Sequence, residues 1–291
     1  MLSICIPQYN FNINPLVKSL TDQITHLKTN IEIIIIDDCS TIKYPIEINP
    51  EIVTKHITLT ENIGRARIRN LFINIAEHDY MLFLDCDSLI IKDDFLTQYL
   101  DEIAKKKYLV ICGGRTYPDK LPSRSKKLRW LYGQRIESKT ADQRKIFPHQ
   151  SFMTNNFVIY KHVLQATPFF ELLSGYGHED TLLGLELKEK KIEVQHIENP
   201  VLNGEIELNC HFLTKTNDGI KNLILILESY SNPGILIENV KLLKVYKAIQ
   251  QKRLGLLLNI ITVLSPLLKL ILTSFLQNET LFNFYKLLIF E

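Results

Sequence analysis

The sequence has few cysteines and no arrangement of them that suggests a metal knuckle or a disulfide scaffold. Cys5, Cys39, Cys86, Cys112 and Cys210 lie far apart with no CxxC pair. That excludes a structural zinc site and a disulfide framework and fits a reducing compartment. A surplus of one charge is also missing: 34 Lys and Arg against 32 Asp and Glu leave a net charge of +2. No general nucleic-acid signature follows, and no nucleic-acid partner is expected. Met1 is followed only by a short strand-like run, so no secretory signal is expected and the protein is placed in the cytoplasm. A clean membrane span is lacking too. Leu254–Leu268 carries no charge until Lys269, but it is shorter than the roughly 20 residues a spanning helix needs, and Asn259 and Pro266 interrupt it. No internal repeat or low-complexity tract occurs. With 46% hydrophobic and 23% charged residues over 291 positions, the chain can bury a full globular core.

What is present is an alternation of short apolar runs and helical periodicities. Leu2–Pro7 reads as a first buried strand. Asn14–Leu27 has helical spacing at Leu16, Leu20, Ile24 and Leu27, with Pro15 near its start. Ile31–Ile36 is a β-branched strand ending in Asp37-Asp38, and a third run lies near Ile52–Leu59. A helix then opens at about Asn62-Ile63-Gly64, and an apolar strand follows at 79–84. Strand–helix–strand order with acids at strand ends implies a mostly parallel sheet covered by helices on both faces.

The run Tyr80–Leu84 ends in Asp85-Cys86-Asp87. Residues i and i+2 of a strand share a face, so the two carboxylates are expected to aim at one point beyond its carboxyl end. That edge is where open α/β sheets bind ligands. Hard oxygen donors there suit Mn²⁺ or Mg²⁺ held jointly with a substrate's phosphates. Pro7, Tyr9 and Asn10 follow the first strand and Asp37-Asp38 the second, so a parallel sheet brings all three sets to the same edge. Asn62, Gly64 and Arg69 lie at a helix start, where backbone N–H groups and a guanidinium can approach phosphate or base. Residues 115–150 are polar and basic, with Trp130 and Tyr132 among them, and read as a long functional loop or a solvated face.

Taken in order, these motifs resemble family 2 glycosyltransferases. The matching stretches are Ser3–Asn10, Ile36–Ser40, Asn62–Gly64 with Arg69-Asn70, Phe83–Asp87 and Gly175–Asp180, spanning residues 1 to about 190. The resemblance implies an α/β fold of GT-A type, Rossmann-like with a mostly parallel central sheet, plus a C-terminal helical extension. It implies inverting transfer of a sugar from a nucleotide sugar, UDP-linked by expectation, to a hydroxyl of a glycan or lipid-linked acceptor. By resemblance Pro7, Tyr9 and Asp38 contact the nucleoside with Asp37 nearby, and Asn62, Gly64 and Arg69 help hold the nucleotide. Asp85 contacts ribose or metal, and Asp87 is the direct metal ligand. Asp180 is the catalytic base, beside Glu179, which holds the acceptor. Asp180 also reads as a helix cap, a role compatible with the first.

The sequence departs from the family pattern at Cys39 (Gly expected), Ile68 (Ala), Tyr176 (Trp) and Asn203, where a metal-binding His is expected. His211 and, with less weight, His196 are the replacement candidates. A nucleotidyltransferase would also use strand-end carboxylates, but Gln8–Asn12 stands where its Gly-rich basic loop would be. A non-catalytic sugar-nucleotide-binding module is the other alternative.

The expected division is a glycosyltransferase domain over 1–215, with a nucleotide half 1–114 and an acceptor half 115–215, followed by helices over 216–291. Basic residues flanking the apolar C-terminal stretch fit peripheral contact with the inner face of the cell membrane. A helical packing layer or an oligomer interface is the other reading.

Overall fold

The computed structural model describes residues 1–45, 52–252 and 260–290. By internal contacts the chain forms two compact units. The first comprises Met1–Pro118, Glu137–Leu172 and Glu179–Glu205; the second comprises Asp119–Ile136, Leu173–His178 and Ile206–Glu291.

In the first unit, strands β1 (Leu2–Gln8), β2 (Ile31–Asp37), β3 (Val53–Thr58), β4 (Tyr80–Leu84), β6 (Val110–Cys112), β8 (Asn156–Tyr160) and β9 (Val194–His196) form one sheet in the order β3-β2-β1-β4-β8-β6-β9. Only β8 runs against the rest. The central strands are apolar on both faces because helices cover both. One face packs Cys5, Ile34, Ile36 and Phe83 against Phe72 of α2 (Arg65–Ile75). The other packs Ile4, Ile6, Ile33 and Leu82 against Leu16 and Leu20 of α1 (Asn14–Ile24) and Phe95 and Tyr99 of α3 (Phe95–Ala104). A smaller sheet joins β5 (Ser88–Ile90), β10 (Val201–Asn203) and β7 (Arg115–Thr116), in the order β5-β10-β7.

The basic segment 115–150 is not a loop. Within it lie β7, α4 (Lys127–Tyr132), a π-turn at Gly133–Glu137 and α5 (Ala141–Lys145). Two of its cations, Arg129 and Arg144, are buried. Arg144 is buried, and its one guanidinium donates to His196 Nδ1 (3.1 Å), Gly113 O (3.0 Å), Ile197 O (2.7 Å) and Lys139 O. A Cβ at Gly114, where φ is +87°, would lie 2.2 Å from that guanidinium, so glycine is required there on two counts. Arg144→Met strands these buried acceptors and is expected to cost on the order of 3 kcal/mol, read as a lower denaturation midpoint at neutral pH.

The second unit is helical. Helix α8 (Asn209–Ser229) and the last helix, α12 (Glu279–Phe290), enclose Phe212, Leu213, Phe282 and Tyr285 with Leu128 of α4. Tyr132 packs into this cluster against Phe212 and Phe282 and anchors its segment to the helical core. Arg129 lies over Phe212 and 3.4 Å from Glu207. The boundary expected at 215/216 lies within α8, and residues 206–215 and 119–136 fall in the unit of the C-terminal helices, with which they share a core.

Candidate active site

The sheet register sets the site. Gln8 pairs with Asp37, and Asp37 with Thr58, so the carboxyl ends of β1, β2 and β3 lie side by side. Asn10, in the left-handed region at φ +49°, ties the two loops together: its Oδ1 accepts from Thr41 N (2.8 Å) and Ile42 N (2.9 Å), and its N–H donates to Ser40 Oγ (2.8 Å). The exposed Tyr9 ring stands just beyond Pro7 and Gln8. Asp37 accepts from Ser40 N (2.8 Å) and Lys43 Nζ (3.2 Å). Gln8, Asp37, Lys43, Tyr44, His56 and Thr58 line a cavity of about 490 Å³.

Asp38 fixes the entry to α2. Its carboxylate accepts from Ile63 N (2.8 Å) and Gly64 N (3.0 Å), while Asn62 Nδ2 donates to Asp38 O (3.1 Å). Gly64 caps the helix at φ +84°, a backbone state that side chains rarely adopt.

Helix α2 then presents Arg65 and Arg69, four residues apart and so on one face. Arg69 is buried and donates to Asp85 Oδ1 (2.7 Å). Arg65 Nη2 lies 3.3 Å from Asp85 Oδ2, and its Nε lies 2.8 Å from Glu179 Oε1. One side chain thus links the end of β4 to the first turn of α7 (Glu179–Glu189), where Asp180 follows Glu179.

Strand alternation does not carry through the Asp85–Asp87 motif. β4 stops at Leu84, and the chain turns, with Asp85 N donating to Asn155 O (3.0 Å) and Ser88 N to Asp85 O (3.0 Å). Asp85 meets the α2 arginines, whereas Asp87 Oδ2 accepts from Asn203 Nδ2 (2.9 Å) on β10. The two carboxylates are thus engaged by different elements. Asn203, where a His was expected, is thus a residue that reaches Asp87.

Residues 3–164 match the sequence model of glycosyl transferase family 2. The chain belongs to that family. It is 37% identical over 89 residues to a protein of Haemophilus influenzae described as an uncharacterized glycosyltransferase, a match covering 30% of this chain and 29% of that protein, well under two thirds of its length. Among solved structures it is similar to the mannosyltransferase PcManGT of Pyrobaculum calidifontis, in complex with GDP-Man and Mn²⁺ (TM-score 0.59, 13% identity, 99% of this chain and 84% of that one). It is also similar to S. aureus TarS 1–349 (TM-score 0.53, 16% identity, 94% and 78%). At these identities the likeness concerns the fold, which is GT-A.

In this member of the family the acid pair is electrostatically split. Burial disfavours the charge of Glu179, but Arg65 and then Arg69 hold its carboxyl below the ordinary range. Asp180 is pushed up to about 6, first by burial and then by the negative charge of Glu179, with Glu137 adding to the rise. Asp180 Oδ1 accepts from Thr181 N (2.7 Å). Asp85 follows the Glu179 pattern: burial opposes its charge, and Arg65, Arg69 and Arg115 more than offset that. Cys86 between the acids is pushed up to about 12, chiefly by burial, as suits a small spacer and not a reactive thiol.

Of the candidate histidines, His196 is engaged elsewhere in the first unit. His196 is buried with Nε2 against Pro148 O (2.9 Å) and Nδ1 accepting from Arg144. His211 is exposed on α8 in the second unit. Among the described residues no three His, Cys, Asp or Glu side chains gather as a metal cluster. The donor set still suits a hard cation: Asp87, with Asn203 as its carboxamide neighbour, would offer it oxygen ligands.

Sequence reasoning missed Arg65, whose i, i+4 spacing to Arg69 was the available signal. It also missed Asn155, which carried none. Asn155 is buried beside Asp85, and both its side-chain polar atoms lack a hydrogen-bond partner among the described residues. Such an orphaned amide is unusual in a folded interior and fits a place where a ligand's hydroxyls supply the bonds.

Proposed function

We propose that this glycosyltransferase moves a sugar, with inversion, from a nucleotide sugar of the UDP class to a hydroxyl of a glycan or lipid-linked glycan. The observation that carries this reading is Arg65, paired at once with Asp85 on the donor side and with Glu179 beside Asp180. The nucleoside lies along the strand ends, with the Tyr9 ring and Pro7 on one side, Asp37 and Asp38 as acceptors, and the loop Asn62–Gly64 below. The acceptor hydroxyl attacks the anomeric carbon and gives its proton to Asp180. The bond from that carbon to the diphosphate oxygen breaks, and nucleoside diphosphate leaves. No covalent intermediate is needed for a single inversion.

Asp87, with Asp85 behind it, would hold Mn²⁺ or Mg²⁺. When bound there, the cation relieves the charge that grows on the departing diphosphate. Arg65 is placed to add a second positive charge to that side, and Glu179 to orient the acceptor. The reaction is assigned to the inner face of the cell membrane, in surface-polysaccharide assembly.

Screening nucleotide sugars with Mn²⁺ or Mg²⁺ tests the assignment. The expected products are nucleoside diphosphate and glycosylated acceptor, with turnover lost in EDTA and restored by excess metal. Release of pyrophosphate would instead indicate nucleotidyl transfer. Calorimetric donor binding without turnover, across a panel of acceptors, would indicate a binding module.

A further inference from the structure

In the second unit a helical segment carries two apolar stripes, of which the described residues cover one. Over residues 260–276, Ile261 and Leu268 pack on Leu287 and Leu288 of α12, and Leu272 packs with Phe282 and Tyr285. These are the inward residues. Ile260, Val263, Leu264, Leu267 and Leu270 point the other way and are 49–80% exposed. Their steps of three and four residues make a continuous helical stripe. Phe275 and Leu276, also exposed, extend it past α11 (Ser265–Leu270). A stripe of this size facing water marks an interaction surface.

Charge says what covers it. No Asp or Glu occurs between Glu238 and Glu279, whereas Lys241, Lys244, Lys247, Lys252, Arg253 and Lys269 do. Helix α10 (Lys241–Gln251) uses Leu242, Tyr246 and Ile249 to pack on the same Leu287 and Leu288, which turns Lys241, Lys244 and Lys247 outward. An apolar ridge and a cationic helix therefore share one support, with no acid in either. A second copy of this chain would bring like charge against like. An anionic bilayer offers the complement of both features: acyl chains for the ridge and phosphate headgroups for the lysines. Among the described residues no helix is long and apolar enough to cross a membrane.

We infer that the face formed by residues 260–276 and the lysines of α10 docks this protein on an anionic lipid surface. This goes beyond the transfer reaction and can fail without it.

The test is co-sedimentation of the full chain with vesicles of phosphatidylcholine alone and of phosphatidylcholine mixed with phosphatidylglycerol. Binding is expected on the mixed vesicles, at least about tenfold weaker on the neutral ones, and weakened by salt. Val263→Asp with Leu267→Asp should abolish it. Lys244→Glu with Lys247→Glu, outside the ridge, should weaken it at least about tenfold, which guards against a folding defect in the first variant. Both variants should retain UDP binding, so failure of the catalytic reading shows separately. Absence of binding to mixed vesicles, or equal binding by the variants, overturns the inference. So does a concentration-dependent dimer that the Val263→Asp, Leu267→Asp variant dissolves.

Discussion

Asp180→Asn is expected to lower turnover by about 10²–10⁴-fold, the range that a positioned general base supplies, while nucleotide binding stays within about twofold. Single-turnover assays with saturating donor and acceptor separate the two effects. The wild-type protein should show an acid limb falling tenfold per pH unit below about 6, where the Asp180 carboxyl takes up its proton. The variant's residual rate should lack that limb. The same substitution should stabilise the fold. Folded Asp180 holds its proton more tightly than the ordinary value of 3.8 allows, so its contribution favours folding at low pH and is lost as pH rises toward about 6. At pH 7.5 the Asn variant, which carries no charge to desolvate, should therefore be more stable by on the order of 1–2 kcal/mol. A residue acting only as a helix cap would leave turnover and the pH profile unchanged and stability nearly so, because Asn caps about as well as Asp.

Asp87→Ala carries the second large effect. It should raise the Mn²⁺ concentration needed for half-maximal activity by at least about tenfold and cut kcat/KM by about 10³-fold, as expected for losing several kcal/mol of charge stabilisation. The melting temperature should move by no more than about 2 °C, because the Asp87 side chain is only partly buried. Asp85→Asn provides the contrast. It leaves Arg69, buried, and Arg65 without their carboxylate, so on the order of 3 kcal/mol of stability should go with it. Asn203→His, which sets an imidazole beside Asp87, should tighten Mn²⁺ about tenfold. If Asp87→Ala keeps its metal response, the cation is held elsewhere.

The β-branched runs Leu2–Pro7 and Ile31–Ile36, the acids that follow them and the Gly64 helix start were all legible in the sequence, because each rests on local chemistry: period, capping and burial. The ordered motifs were enough to place the chain in its family. The parts that were not legible depend on partners distant in sequence. Arg144 sits in a segment that composition marks as a solvated basic loop, yet it is buried because four acceptors from three separate stretches converge on it. The strand-alternation argument for Asp85 and Asp87 does not apply because β4 ends at Leu84 and the chain turns before either acid.

The sequence by itself determined the sheet, its helices and the acidic edge, since alternating apolar periods and strand-end carboxylates do not need the rest of the chain to be read. Only the tertiary structure decided which carboxylates answer to which cations. Arg65 is 20 residues from Asp85 and 114 from Glu179. Coulomb interaction depends on distance in space, and no local pattern encodes a separation closed by the folding of the whole unit.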